Sequence, residues 1–381
     1  MPPLLLSIIM EQAKMVERKE LRHFDIGLVM ITATIACIGL VVIFSASKQH
    51  SEGIIFVRKQ AIWAIFGVGA FILAAWFDHH SYPRIANRVY TLNILLLIAV
   101  LLVGKETKGA QRWLGIGSFT IQPSEFAKVA IIITLAVFLA QNHDRLKETR
   151  TFILSLVHIG VPMLLIFKQP DLGTALVILA IWFGMAFVAG MKMRHLGGFV
   201  AVVFVAGLIA WNTPILKDYQ KKRIEVLFNP SADSLGAGYH VKQAKIAIWS
   251  GQFTGKGWLK GTQSKLRFIP EQHTDFIFTV LGEEFGFVGT SVLLILFFVL
   301  LWKSIIIMEQ TEDIVGRLIA AGIVSMFLFQ ITVNIGMTLG IMPVTGVPLP
   351  FVSYGGSSLL ANMIAIGMLT GIGMRRFKIS F

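Results

Sequence analysis

The sequence predicts an all-α polytopic membrane protein. It should hold about ten transmembrane helices and one large, partly helical extracytoplasmic loop between helices seven and eight. Three observations carry this expectation. Of 381 residues, 55 % are hydrophobic and 14 % charged, with a mean hydropathy of +0.73; ordinary soluble domains carry about 25 % charged residues. Apolar runs long enough to cross a hydrocarbon core of about 30 Å recur along the chain. Lys and Arg are dense in alternate loops, the pattern of the positive-inside rule.

The ten runs are 25–46, 59–77, 86–104, 122–140, 152–168, 172–190, 195–213, 276–302, 315–338 and 357–374. Short loops join most of them, and only the Lys168–Asp171 corner separates the fifth from the sixth. With the N-terminus inside, the inner segments carry 16 Lys and Arg and the short outer loops carry seven. Both termini are therefore expected in the cytoplasm. The long loop 214–275 does not enter this comparison, because long loops translocate largely regardless of charge. The net charge of +13 is assigned to basic loops and anionic lipid and not to nucleic acid. A single cysteine, Cys37, excludes an intramolecular disulfide.

No second domain is apparent. Residues 1–20 read as an N-terminal cytoplasmic extension and 21–381 as one transmembrane domain. The apolar patch Leu4–Met10 is short for a signal sequence and lacks a small-residue cleavage site. An interfacial helix, an upstream start before Met15 or a remnant foreign to the natural chain would each account for it. No strong internal repeat of the kind found in many transporters is visible.

The unusual polar sequence collects on the outer side. Between the third and fourth runs lies an outer loop with Gln111, Arg112 and Trp113, followed by Gln122-Pro123-Ser124-Glu125. Pro123 and Ser124 mark a helix start. Glu125 and Lys128, three apart, share one helix face and form either a structural ion pair or part of a cavity wall. Trp113 suits an interface anchor. Asp171 follows Pro170 at a helix-to-helix corner, near an N-terminus.

Loop 214–275 holds ten basic residues against four acidic ones before Asp275. Its stretch Val241–Trp249 reads as a basic amphipathic helix able to lie in the membrane interface, with Lys242 and Lys245 near phosphates. Gly251, Gly255, Gly257 and Gly261, interleaved with lysines, suggest a weak anion site and match no Walker loop. The last outer loop, 342–358, has three prolines and three glycines, so its irregular backbone must be buried in protein or line a wet cavity. Asn334 adds a polar group to the preceding run.

The most informative stretch is His273–Phe278, where the long loop re-enters an apolar helix. Charged groups at this depth are solvated, paired or functional. Thr274 or Asp275 could cap the next helix. Alternatively, Asp275 could be a general base toward a substrate with a lipid tail and a polar head.

Seven segments, Lys108–Leu114, Gln122–Lys128, Gln169–Thr174, Leu235–His240, Gly255–Gln263, Pro270–Phe278 and Gly346–Ser358, together resemble the SEDS (shape, elongation, division, sporulation) family of bacterial envelope proteins. Gly-Ala-Gln-Arg-Trp at 109–113 and Gly-Val-Pro-Leu-Pro at 346–350 resemble its elongation-associated branch. The resemblance runs from about Leu21 to the C-terminus and leaves residues 1–14 outside.

The resemblance implies a ten-span fold in the bacterial cytoplasmic membrane. It also implies a glycosyltransferase that polymerises lipid II, an undecaprenyl-pyrophosphate-linked precursor, at the outer face during elongation. The implied partners are a class B penicillin-binding protein (a transpeptidase) and other elongation-complex proteins. Asp275 matches the family's essential loop aspartate. An α-linked donor and a β-1,4 product mean one inversion, hence a single displacement needing a base for the acceptor hydroxyl. Asp275 is the candidate.

The leaving pyrophosphate needs countercharge. Arg112, Lys128, Arg223, Lys245 and Arg267 are candidates, and Trp113, Glu125, Asp171 and Ser353 are further candidates for substrate binding. No His/Cys/Asp group has structural zinc spacing, although Mg²⁺ or Mn²⁺ could accompany the pyrophosphate. A lipid-precursor transporter (flippase) and a non-catalytic scaffold are the competing readings. The clustering of polar groups on one face speaks against transport, which needs a route near the midplane.

Overall fold

The computed structural model describes residues 23–48, 53–107, 110–116, 119–213, 218–229, 233, 236–265 and 272–376. The N-terminal segment 1–22 and the candidate Arg267 lie outside them. The helices are α1 (Ile26–Ser47), α2 (Gly53–Trp76), α3 (Tyr82–Val103), α4 (Pro123–Gln141), α5 (Thr149–Lys168), α6 (Leu172–Val188) and α7 (Met193–Trp211). They continue as α8 (Asp218–Phe228), α9 (Ala237–Ser250), the short α10 (Thr262–Lys265), α11 (Ile277–Gln310), α12 (Ile314–Leu339) and α13 (Gly356–Met374).

Among the described residues, eight helices are long and apolar enough to cross a membrane: α1–α5 and α11–α13. Helices α6 and α7 coincide with the sixth and seventh apolar runs but are shorter by the same measure. The chain is a multi-pass membrane protein.

Most of these helices are apolar nearly all round, α3 and α5 being the more one-sided, so packing more than amphipathicity decides which face turns inward. Helices α4, α12 and α13 are mostly buried and form the centre, where Trp182 of α6, Phe327 of α12 and Ile131 and Leu135 of α4 are fully enclosed. Helices α2, α3 and α7 lie outside. Their exposed Leu73, Leu102 and Phe204 suit a lipid surround.

Local signals set the helix ends. Asp25 caps α1 by accepting from the Leu28 N–H at 2.9 Å, and its carboxylate also receives Lys303 Nζ of α11 at 2.9 Å. Pro123 stands at the first position of α4, where its missing N–H costs nothing.

The segment between α3 and α4, expected to be a loop, is instead a three-stranded antiparallel sheet. Strands β1 (Lys105–Thr107), β2 (Ala110–Ile116) and β3 (Phe119–Ile121) pair in the order β1-β2-β3, with Leu114 opposite Ile121. Two glycine-containing dipeptides, Lys108-Gly109 and Gly117-Ser118, separate the three strands. They are two-residue hairpin signals that the reading in terms of membrane spans passed over.

The glycine-rich stretch 251–261 also differs from expectation. Helix α11 is broken at Gly286 (φ 62°, ψ −155°), and the stretch docks into the break. Phe287 N–H donates to Gln252 O at 2.9 Å and Val288 N–H to Phe253 O at 3.1 Å. In return, Lys256 and Gly257 N–H donate to Glu283 O and Glu284 O at 3.0 and 2.9 Å. A Cβ at Gly255 (φ 79°) would lie 2.1 Å from Glu284 O, and one at Gly286 would lie 2.4 Å from Gly255 N. Gly251 and Gly255 thus serve close backbone contact with a broken helix. Buried Glu283 holds the far side of the stretch, accepting from Lys256 Nζ at 2.9 Å and from the Thr262 and Gln263 N–H groups at 2.6 and 2.8 Å.

Candidate active site

At the end of the bundle formed by the sheet, the α5–α6 corner and loop 340–355 lies a cavity of about 600 Å³. Its walls come from β2, the start of α4, the α5–α6 corner, the turn before α11, loop 340–355 and the start of α13, with Arg223 of α8 added from the long loop. Asp275, Arg112, Trp113, Glu125, Asp171 and Arg223 all line it.

The Asp275 turn is held by its backbone. Tyr354 N–H donates to His273 O at 2.9 Å, Ser353 Oγ–H to Thr274 O at 2.6 Å, and Asn334 Nδ2–H to Asp275 O at 3.0 Å. Three consecutive carbonyls are thus fixed from loop 340–355 and α12. Asn334, fully buried, also donates to Val347 O at 2.8 Å and so ties loop and turn together. Gln60 of α2 braces the same loop, donating to Ser353 O and accepting from Gly355 N–H. The ring of His273 packs against Phe56 and Tyr354.

Helix α11 starts at Ile277. Its N-cap position falls on Phe276, which makes no side-chain cap bond, and Asp275 stands one residue before it. The Asp275 carboxylate faces the left-handed turn at Gly346 (φ 73°), where a Cβ would stand 3.4 Å from Oδ2. Burial raises the Tyr354 hydroxyl above its usual range, leaving a neutral donor at the cavity edge.

Asp171 caps α6, accepting from the Thr174 N–H and hydroxyl at 3.2 and 2.9 Å, and also receives Ser124 Oγ and Gln122 Nε2, each at 3.2 Å. Glu125 lines the cavity. Lys128 lies one turn deeper, 1 % exposed, with Nζ 2.8 Å from Glu125 Oε2. Lys128 is therefore part of a buried pair behind the wall and is absent from the lining. Arg112 stitches β2 to the α5–α6 corner, donating from Nε to Gln169 O at 2.8 Å and from Nη2 to Pro170 O.

Two further candidates lie off the cavity. Lys245 of α9 packs against Gly340 at the end of α12, and Ser353 is buried in hydrogen bonds with Leu349 N–H and Thr274 O. Helix α9 lays Ala244 and Ala247 against Phe276, which anchors the long loop beside the Asp275 turn. Among the described residues, no set of three carboxylate, His or Cys ligands in the cavity comes within metal-binding distance.

Gln122, Thr174, Thr345, Tyr354, Ser357 and Ser358 also line the cavity. Sequence reasoning had not singled them out as site residues. Their signal was present, since each is polar and all but Ser358 stand directly beside a proline or glycine.

A family profile described as FtsW/RodA/SpoVE cell cycle protein matches residues 26–377. The chain belongs to that family. It is 41 % identical over 368 residues to the peptidoglycan glycosyltransferase MrdB of Escherichia coli K12, covering 94 % of this chain and 95 % of that one. It is 37 % identical to the peptidoglycan glycosyltransferase RodA of Treponema pallidum, covering 93 % and 98 %.

Among solved structures, one described as the structural coordination of polymerization and crosslinking by a peptidoglycan synthase complex superposes with a TM-score of 0.80. It shows 32 % identity and covers 93 % of this chain and 99 % of that one. The crystal structure of Thermus thermophilus rod shape determining protein RodA gives a TM-score of 0.71 at 29 % identity, covering 93 % and 98 %.

Proposed function

We propose that this protein is a peptidoglycan glycosyltransferase that polymerises lipid II into β-1,4 glycan at the outer face of the bacterial cytoplasmic membrane during elongation. Family membership and the relatives' activities support the reaction class. One observation supports the assignment of Asp275: it lines the cavity on a turn whose backbone is clamped by three donors.

In the proposed step, Asp275 takes the proton of the acceptor 4-hydroxyl as that oxygen attacks the anomeric carbon of the donor. The bond to the undecaprenyl pyrophosphate breaks on the opposite side, and configuration inverts. Proton transfer of this kind contributes about 10²–10⁴-fold. Arg112 and Arg223 bring positive charge to the cavity lining, where pyrophosphate charge develops. Mg²⁺ or Mn²⁺ bound to the pyrophosphate would need one or two protein carboxylates and water.

The proposal includes ten spans, cytoplasmic termini and a class B penicillin-binding protein as the crosslinking partner. The solved complex that this chain resembles couples polymerization with crosslinking, in keeping with such a partner.

The test is purified protein in liposomes with lipid II, alone and with the transpeptidase. Glycan polymer is expected, and Asp275→Asn should reduce its formation by about 10² or more. Transbilayer movement of lipid II without polymer would overturn the assignment in favour of a transporter.

A further inference from the structure

We propose that Asp78, His79 and His80 form a binding site for a divalent metal of the zinc class. The site lies in the α2–α3 turn, at the end of the bundle away from the cavity, and Asp313 supports it from behind. None of these residues enters the glycosyl-transfer chemistry.

The geometry begins with Asp78, which caps the short 3₁₀ turn His79–Ser81 and folds both histidines back over its own carboxylate. One ligand atom from each of the three residues lies within 4.8 Å of the others. Asp78 Oδ1 is 2.8 Å from His80 Nδ1 and 3.8 Å from His79 Nδ1. Donors around a tetrahedral zinc ion, each about 2.0–2.1 Å from the metal, sit roughly 3.3 Å apart. The two observed separations bracket that value, so small side-chain rotations would complete a three-ligand set.

The second observation concerns His79 alone. Its ring is 1 % exposed, and neither ring nitrogen has a hydrogen-bond partner. Burying both nitrogens unsatisfied is costly unless something occupies them. The two nitrogens face different groups. Nδ1 points toward Asp78 and His80, while Nε2 lies 3.7 Å from Asp313 Oδ2, at the cap of α12. At 3.7 Å the Nε2–Asp313 contact is longer than a hydrogen bond, but the placement is the one a metal-bound histidine needs: one nitrogen for the ion and a carboxylate within a small rotation of the other.

Gly316 leaves room for the ring, since a Cβ there would come 3.1 Å from His79 Cδ2. The neighbouring cation, Arg375, donates to Ala75 O and Trp76 O, and its charge also reaches His79. Asp78 and His80 are half-exposed, at 49 % and 59 % of their side chains, so an ion can enter from water. Two imidazoles and one carboxylate favour zinc over magnesium or calcium, which prefer all-oxygen sets. A bound ion would fasten the α2–α3 turn to the start of α12.

The test uses full-length detergent-solubilised protein without a polyhistidine tag, washed with chelator and titrated with Zn²⁺ by calorimetry and with Co²⁺ by visible absorption. One equivalent per chain, tetrahedral Co²⁺ bands and a raised thermal midpoint with Zn²⁺ are expected. His80→Ala, at an exposed position that leaves the fold intact, should abolish the Co²⁺ bands. Asp313→Asn keeps the helix cap and should weaken Zn²⁺ binding about 10–100-fold. Absence of stoichiometric binding, or binding by His80→Ala equal to that of the parent protein, would overturn the site.

Discussion

Asp275 stands one residue before the N-cap position of α11, and a single substitution separates its two readings. Asn caps a helix about as well as Asp, so Asp275→Asn would be silent if capping were the role. The structure gives the cap position to Phe276. We therefore expect normal membrane insertion of Asp275→Asn with polymerisation largely lost, measured on purified protein with lipid II.

The Glu125–Lys128 pair makes a second residue-scale prediction. Both side chains are buried, and the ammonium is almost fully enclosed. Removing one partner strands the other charge, so Lys128→Met should destabilise the protein by about 3–5 kcal/mol. The double variant Glu125→Gln/Lys128→Met should recover most of that loss in thermal melts. If the double variant melts normally but does not polymerise, the pair serves substrate and not only the fold. The three-residue spacing made the pairing legible in sequence. Which of the two would face the cavity was not, because both lie on the same helix face and only packing against neighbouring helices determines depth.

The element that departs furthest from expectation is α11. Its composition reads as one continuous apolar span from 276, yet the backbone breaks at Gly286 and receives stretch 251–261 as a backbone partner. Gly255→Val should be disruptive, costing about 1–3 kcal/mol for the left-handed backbone alone, with the 2.1 Å approach to Glu284 O added. Gly69→Ala, on a helix where nothing lies within 4 Å of the added methyl, is the control and should be neutral to slightly stabilising. Differential scanning of both variants in the same detergent checks this. The glycines were conspicuous in the sequence. Their purpose was not, because a phosphate and a second backbone make the same demand, the absence of a Cβ. The β-sheet was missed because β1 and β3 have only three residues each and β2, at seven, shows no apolar–polar alternation.

At the scale of the whole molecule, the polar lining lies at one end of an otherwise apolar bundle, and among the short loops Lys and Arg favour those at the other end. With Cys37 replaced by Ala, Ser231→Cys should react with a membrane-impermeant maleimide in intact cells (in spheroplasts if an outer membrane blocks access), and Lys147→Cys should not. The opposite pattern would invert the topology and place the cavity in the cytoplasm, where a lipid II polymerase could not work.

Composition and the recurrence of apolar runs determined by themselves that this chain is a helical membrane protein, because partition into lipid depends on residue type summed over about 20 positions and on little else. Local chemistry also marked Pro123, Asp171 and Asp275 as helix-end residues. Only the tertiary structure decided which polar groups meet. Asp275, Glu125, Asp171, Arg112 and Arg223 come from five separate segments, and Asn334 reaches the Asp275 turn across 59 residues. Lys245, equally basic and closer in sequence to Asp275 than Arg223 is, packs elsewhere. The physical reason is that membrane helices apolar on nearly every face carry too weak a stripe to orient them. Their rotation and neighbours are set by close packing and buried hydrogen bonds, which are properties of the assembled bundle.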